Sequence, residues 1–127
     1  MDINLLSYFL PTELLEHFTI TGIKEVSDPE KIFKTLHIEL EEKNELPKGY
    51  ERSKYEAKDF IPGKLIQDFP IRGKSVYLVI KRRRWRNKEN HSEIISSDYT
   101  FLSGGTKLTK ELSDFLKDTG REPNRRN

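Results

Sequence analysis

The chain has 127 residues, 34% hydrophobic and 35% charged, enough for one modest core with much of the chain left at the surface. It contains no cysteine, which excludes disulfides and thiolate metal sites, and no run approaches the roughly 18 apolar residues that a membrane span needs. The formal charge of +2 is unevenly spread: residues 1–46 hold ten acids against four lysines, so the remainder carries +8.

The first residues, Met1-Asp2-Ile3-Asn4, place an acid ahead of the apolar stretch, the wrong order for a secretory signal, and a cytoplasmic protein is expected. Leu5, Leu6, Phe9 and Leu10 form one helical stripe that Pro11 interrupts. Pro11-Thr12-Glu13 then suits a second helix start, with Leu14, Leu15 and Phe18 buried and His17 at the edge of the packing. Thr19-Ile20-Thr21 before Gly22 reads as a short extended exit. Ser27-Asp28-Pro29-Glu30 carries a cap and a first-turn proline, with Ile32 and Phe33 leaving room for a turn or two of helix.

From Thr35 the period becomes two. Leu36, Ile38 and Leu40 alternate with His37, Glu39 and Glu41, predicting a half-buried strand with an acidic outer face. Leu46-Pro47-Lys48-Gly49-Tyr50 is a turn, and the polar segment to Asp59 has Tyr50 and Tyr55 as anchors. Lys64–Gln67 can form a short strand. Ile71-Arg72-Gly73-Lys74 then turns tightly into Ser75–Arg86, the strongest strand, and Asn87-Lys88-Glu89-Asn90 reverses the chain so that Ser92–Ser96 pairs back. After Ser103-Gly104-Gly105, Leu108, Leu112, Phe115 and Leu116 recur at helical spacing, with Gly120 as a stop.

The expected fold class is therefore α+β: N-terminal helices packed on a small antiparallel sheet with a projecting basic β-hairpin, and a C-terminal helix. One domain is expected over 1–120, with a helical part over 1–34, the sheet over 35–100 and the helix over 106–119. Residues 121–127 form a basic tail.

Catalytic patterns are weak. His17, His37 and His91 have no metal-ligand spacing, and Asp59 and Asp68 lack an accompanying nucleophile or oxyanion signature. Gly104-Gly105-Thr106-Lys107 lacks the spacing of a phosphate loop. The chain by itself is not expected to be an enzyme, and no cofactor is implied.

Between Arg72 and Lys88, by contrast, stand eight basic residues and no acid. In an extended strand Val76, Leu78 and Ile80 share a face with Arg82, Arg84 and Arg86, while Tyr77 and Val79 share the other with Lys81, Arg83 and Trp85. The apolar half fits a covered strand. The basic half must run out to solvent unless each charge finds a partner. Guanidinium forks match phosphates, an aromatic among them can stack on a base, and a β-ribbon can enter a duplex groove. Arg72, Lys74, Lys81, Arg82, Arg83, Arg84, Trp85, Arg86 and Lys88 are thus the candidate DNA-binding residues. The alternative is that these cations meet Glu39, Glu41 and Glu42 across the sheet, with Trp85 as a rim core residue.

The run Leu65-Ile66-Gln67-Asp68-Phe69-Pro70-Ile71-Arg72-Gly73-Lys74-Ser75-Val76-Tyr77-Leu78, continued by Arg83-Arg84-Trp85-Arg86, resembles the ribbon in the N-terminal zinc-finger region of bacterial insertion-sequence transposases. That pattern has an Asp-Leu-Pro turn, a glycine, a V-x-L strand and Arg-Arg-aromatic-Arg before a zinc-ligand cysteine. Here Asn87 stands in the cysteine's place, and Leu46-Pro47-Lys48-Gly49 lies near where the first cysteine pair would be. As a whole the chain resembles the short first-frame protein of two-frame elements, whose DDE catalytic domain is carried by the following frame. The resemblance implies double-stranded DNA, the element's terminal inverted repeats, as one partner and the DDE polypeptide as another, with no membrane. It also implies that Thr106–Asp118 begins a helix-turn-helix region. With no zinc, packing by the N-terminal helices is expected to hold the ribbon. The other function class left open is a protein–protein adaptor or regulator of transposition, its basic ribbon binding an acidic protein surface.

Overall fold

The structure, a computed structural model, describes residues 3–27, 34–99 and 109–118, with the side chains of 3, 4, 113, 115 and 116 left out of the description. The helix turn read from Asp28 through Phe33, the lead-in over 103–108, the Gly120 stop, the tail over 121–127 and the buried roles of Phe115 and Leu116 lie outside the described residues.

Two short helices open the chain, α1 (Ile3–Leu6) and α2 (Thr12–His17), separated by a 310 turn at Ser7–Phe9 and by Pro11. Seven strands follow among the described residues: β1 (Phe18–Val26), β2 (Thr35–Glu42), β3 (Tyr55–Phe60), β4 (Lys64–Ile71), β5 (Lys74–Lys81), β6 (Arg83–Asn87) and β7 (Ile94–Ser96). Helix α3 (Lys110–Asp118) comes last. They build two sheets, one ordered β1-β2-β5-β4 and one ordered β3-β6-β7.

The α+β expectation is overturned. The protein is mostly β, its helices are short, and its strands divide between two sheets. The larger sheet is mixed rather than antiparallel, since β2 and β5 pair in parallel. The helical stretch assigned to 1–34 holds instead the nine-residue strand β1, antiparallel to β2. Gly22 reads as a stop in the sequence, but it sits just past a bulge between Ile20 and Gly22, and the strand continues through it.

The larger sheet buries one face. Leu36, Ile38 and Leu40 of β2, Val76, Leu78 and Ile80 of β5, Ile66 of β4, and Phe18 and Ile20 of β1 form one apolar cluster. Leu6, Leu10 and Leu14 from the N-terminal turns complete it, whereas Leu5 and Phe9 of the expected first helical stripe are exposed, because α1 ends at Leu6 before a 310 turn. Asp68 is also on this face and only 4% exposed. It is satisfied by the Thr109 hydroxyl, which donates to its Oδ1 at 2.9 Å, while Thr109 N–H donates to Gln67 O at 2.9 Å. The same Thr109 Oγ1 accepts from Leu112 N–H at 3.3 Å, capping α3.

One long, bent hairpin joins the sheets. Its tip is Arg72-Gly73, with φ of 53° and 79°, enclosed by the pair Ile71 and Lys74. Two central residues at positive φ make a type I′ turn, whose twist matches the strands it connects. From the tip β4 and β5 pair within the larger sheet, and further along β3 and β6 pair within the smaller one. The bend falls at Ile61-Pro62-Gly63 opposite Arg82, where Ile61 N–H still donates to Arg82 O at 2.7 Å. Backbone approach is tight there: a Cβ on Gly63 would stand 2.7 Å from Val79 Cγ1. The predicted single strand Ser75–Arg86 is thus two strands, divided at Arg82.

Candidate nucleic-acid interface

Strand β6 is the middle strand of the smaller sheet, with β3 on one side and β7 on the other. The expected hairpin forms, with β6 pairing antiparallel to β7, but β3 pairs along its other edge, so it does not project and its arginines face a neighbouring strand. Glu56 lies opposite Arg86 and Asp59 opposite Arg84. Arg84 donates from Nε to Asp59 Oδ1 at 2.6 Å and from Nη2 to Asp59 Oδ2 at 2.5 Å, a bidentate fork. Arg84, with Lys58 2.9 Å away, holds the Asp59 carboxyl down to about 2. Arg86 Nη2 reaches Glu56 Oε1 at 3.4 Å. Arg82 Nη1 donates to Ser97 O at 3.2 Å and to Asp98 Oδ1 at 3.3 Å.

The other face of β6 is closed. Trp85 is 1% exposed, and its indole N–H donates to Asn44 Oδ1 at 2.8 Å. In this arrangement its ring has no face open to a base, and its place is structural. Arg83 stacks over the Phe60 ring, 4.5 Å from the centroid, and donates from Nε to Glu42 O at 3.3 Å. Its backbone N–H donates to Glu42 Oε1 at 2.8 Å, and the Tyr99 hydroxyl donates to Glu42 Oε2. Those bonds satisfy a carboxylate that is 2% exposed at the point where the chain passes between sheets. Burial, then the neighbouring Glu42, raises the Tyr99 hydroxyl well above its ordinary range.

The remaining candidates are dispersed. Lys74 is bound to Glu25 Oε1 at 2.9 Å, and together with Lys34 it lowers the Glu25 carboxyl. Among the described residues, Arg72 at the turn, Lys81 at the end of β5 and Lys88 beyond β6 have no carboxylate within ion-pair distance. Arg72 and Lys74 do not adjoin the arginine strand. They stand at the opposite end of the long hairpin, roughly 40 Å of extended chain from Arg86 at about 3.3 Å per residue. The nine residues therefore do not form one compact patch.

Asn87, where the resemblance places a zinc ligand, organises the end of the ribbon through hydrogen bonds. Its Oδ1 accepts from Glu89 N–H at 2.8 Å and Asn90 N–H at 3.1 Å, and its Nδ2 donates to Glu93 Oε1 at 3.1 Å. The Tyr55 hydroxyl donates to the same carboxylate oxygen. This bond is the main cause lowering Glu93, and that carboxylate in turn raises Tyr55. The expected substitute for zinc was packing by the N-terminal helices. The leucines of those helices belong to the core of the larger sheet, and at the end of the ribbon the polar knot of Tyr55, Asn87 and Glu93 stands instead.

Glu56, Asp59, Asp98, Asn44 and Glu93 were missed as site residues. Only the β3–β6 register could have exposed the first two, because their spacing from the arginines in sequence carries no signal. Asp59 and Asp68, considered above as a pair of carboxylates, belong to different sheets and have different partners. Among the described residues no three His, Asp or Glu side chains converge to hold a metal ion, and no helix is long and apolar enough to cross a membrane. No family model, no curated protein and no solved structure matches the chain.

Proposed function

We propose that the chain is the DNA-binding N-terminal module of an insertion-sequence transposase, recognising the ends of its element and acting with a separately encoded DDE catalytic polypeptide. The resemblance of residues 65–86 to the transposase ribbon supports this reading. The observation that carries it is the pair Arg84 and Arg86, set by β-pairing on one face of β6 with side chains 37% and 33% exposed. Arg84 commits Nε and Nη2 to Asp59, which leaves Nη1 for a further acceptor. Such forks, fixed in orientation, suit phosphate contacts along a duplex. Trp85 has no part in base stacking in this reading. It sets the strand from which the arginines act.

The test is a titration of labelled duplexes, one carrying the element's terminal repeat and one scrambled, over a range of salt. Phosphate binding gives a log–log slope of about −0.9 per phosphate neutralised, and Arg84→Ala with Arg86→Ala flattens it by about two such units. Absence of binding to either duplex at low salt would sink the reading. A second reading draws on the pairing of Arg82, Arg84 and Arg86 with carboxylates: the strand docks an acidic protein surface through the same guanidinium groups. Capture of the DDE polypeptide without DNA, lost in the same variants, would favour it.

A further inference from the structure

The basic strand comes with its own anions. Asp59 and Glu56 reach Arg84 and Arg86 from β3, and Asp98 reaches Arg82 from beyond β7. Three consecutive alternate cations, Arg82, Arg84 and Arg86, are thus neutralised one for one from both sides of the strand. Pairs this exposed contribute little to folding, so holding the sheet together is a weak reason for all three. The geometry is informative: the two-oxygen fork of Asp59 on Arg84 occupies the guanidinium edge that a phosphate would take.

We propose that Asp59, Glu56 and Asp98 are built-in competitors for phosphate: a polyanion first meets the free Nη1 of Arg84 and gains the full forks of Arg84, Arg86 and Arg82 by displacing these acids. This rests on the DNA-binding reading above and assigns that site its regulation. The displaced carboxylates are not left buried and unpaired. Asp59 Oδ2 keeps Lys58 Nζ at 2.9 Å, and the Glu56 and Asp98 side chains are exposed to water. The Asp59 carboxylate remains ionised down to about pH 2, so a competing anion releases it where ordinary acidity does not. The consequence is selectivity. Beyond about a Debye length, roughly 10 Å at 0.1 M salt, the three paired arginines exert little net field, and unspecific duplex is attracted weakly. A site that brings phosphates into register with the forks can displace the acids.

The experiment measures anisotropy of a labelled duplex of arbitrary sequence between 50 and 200 mM salt. It compares the unmodified protein, Glu56→Gln with Asp59→Asn, Asp98→Asn, and Glu16→Gln as a control on exposed α2. Releasing two cations steepens the log–log slope by about 1.8, so the advantage of the double variant widens about 12-fold from 200 to 50 mM. Asp98→Asn, at a side chain 97% exposed, steepens it by about 0.9, a widening of about 3.5-fold. Glu16→Gln leaves it unchanged. Binding by all four proteins with parallel salt dependences overturns the proposal alone, as does an equal gain from Glu16→Gln. No binding by any of them at 50 mM overturns the DNA-binding reading and the proposal with it.

Discussion

The two sheets of this protein share strands of one hairpin yet are held together by different physics. The larger sheet rests on a cluster of twelve buried apolar side chains, with Leu40 fully inaccessible. The smaller has one large buried side chain, Trp85, surrounded by ion pairs and side-chain hydrogen bonds. Crossing Arg82 takes the chain from a region that burial stabilises to one where polar complementarity decides the pairing. The apolar cluster of the first is little weakened by salt, whereas the second is built mainly from interactions that salt and competing ions weaken.

The contrast is sharpest at Trp85. Trp85→Ala costs about 3–5 kcal/mol and opens the smaller sheet first. Amide exchange then accelerates over 55–60 and 83–87 while 36–40 and 76–80 stay protected; uniform acceleration in both sheets would erase the distinction. Leu40→Ala costs about 2–5 kcal/mol, read by urea denaturation, and loosens the larger sheet, with exchange rising over 36–40 and 76–80. Asn44→Ala removes only the acceptor of the Trp85 indole N–H. Leaving that donor buried and unsatisfied costs about 1–3 kcal/mol, and an unchanged midpoint would mean that the tryptophan is held by packing alone.

The smallest expected effect concerns Asp59. Its carboxyl is depressed from 3.8 to about 2 by Arg84 and Lys58, so its contribution is complete above the ordinary value and disappears as pH falls through about 2. Between pH 5 and 7 this pair therefore adds no slope to the stability curve. Asp59→Asn lowers stability slightly and equally across that window, and the difference from the unmodified protein vanishes toward pH 2. A difference that grew between pH 5 and 7 would mean that another group titrates with the pair.

Legibility followed the same division. The alternation at 36, 38 and 40 and at 76, 78 and 80 identified β2 and the first half of the long strand, because a half-buried strand must alternate. The turn at Arg72-Gly73 was legible from its residues. β1 was not, because Gly22 has the look of a breaker until a bulge accommodates it. β3 was not, because Tyr55-Glu56-Ala57-Lys58-Asp59-Phe60 has no apolar period. It becomes a strand because its acids lie opposite the arginines of β6. The hairpin of β6 and β7 was legible, but not that β3 covers its other edge: nothing local to Arg83-Arg84-Trp85-Arg86 announces a partner some 25 residues away in sequence.

The sequence by itself determined which residues must be buried in the larger sheet, where the chain must turn, and that charge is segregated along the chain, since each follows from periodicity, local φ preference or simple counting. Only the tertiary structure decided what the segregated charge faces. Whether Arg84 meets water, phosphate or Asp59, and whether Trp85 is a stacking surface or a closed core, depends on the register between strands distant in sequence. Long-range register sets those few ångströms, and at such distances electrostatic and packing energies are made or lost.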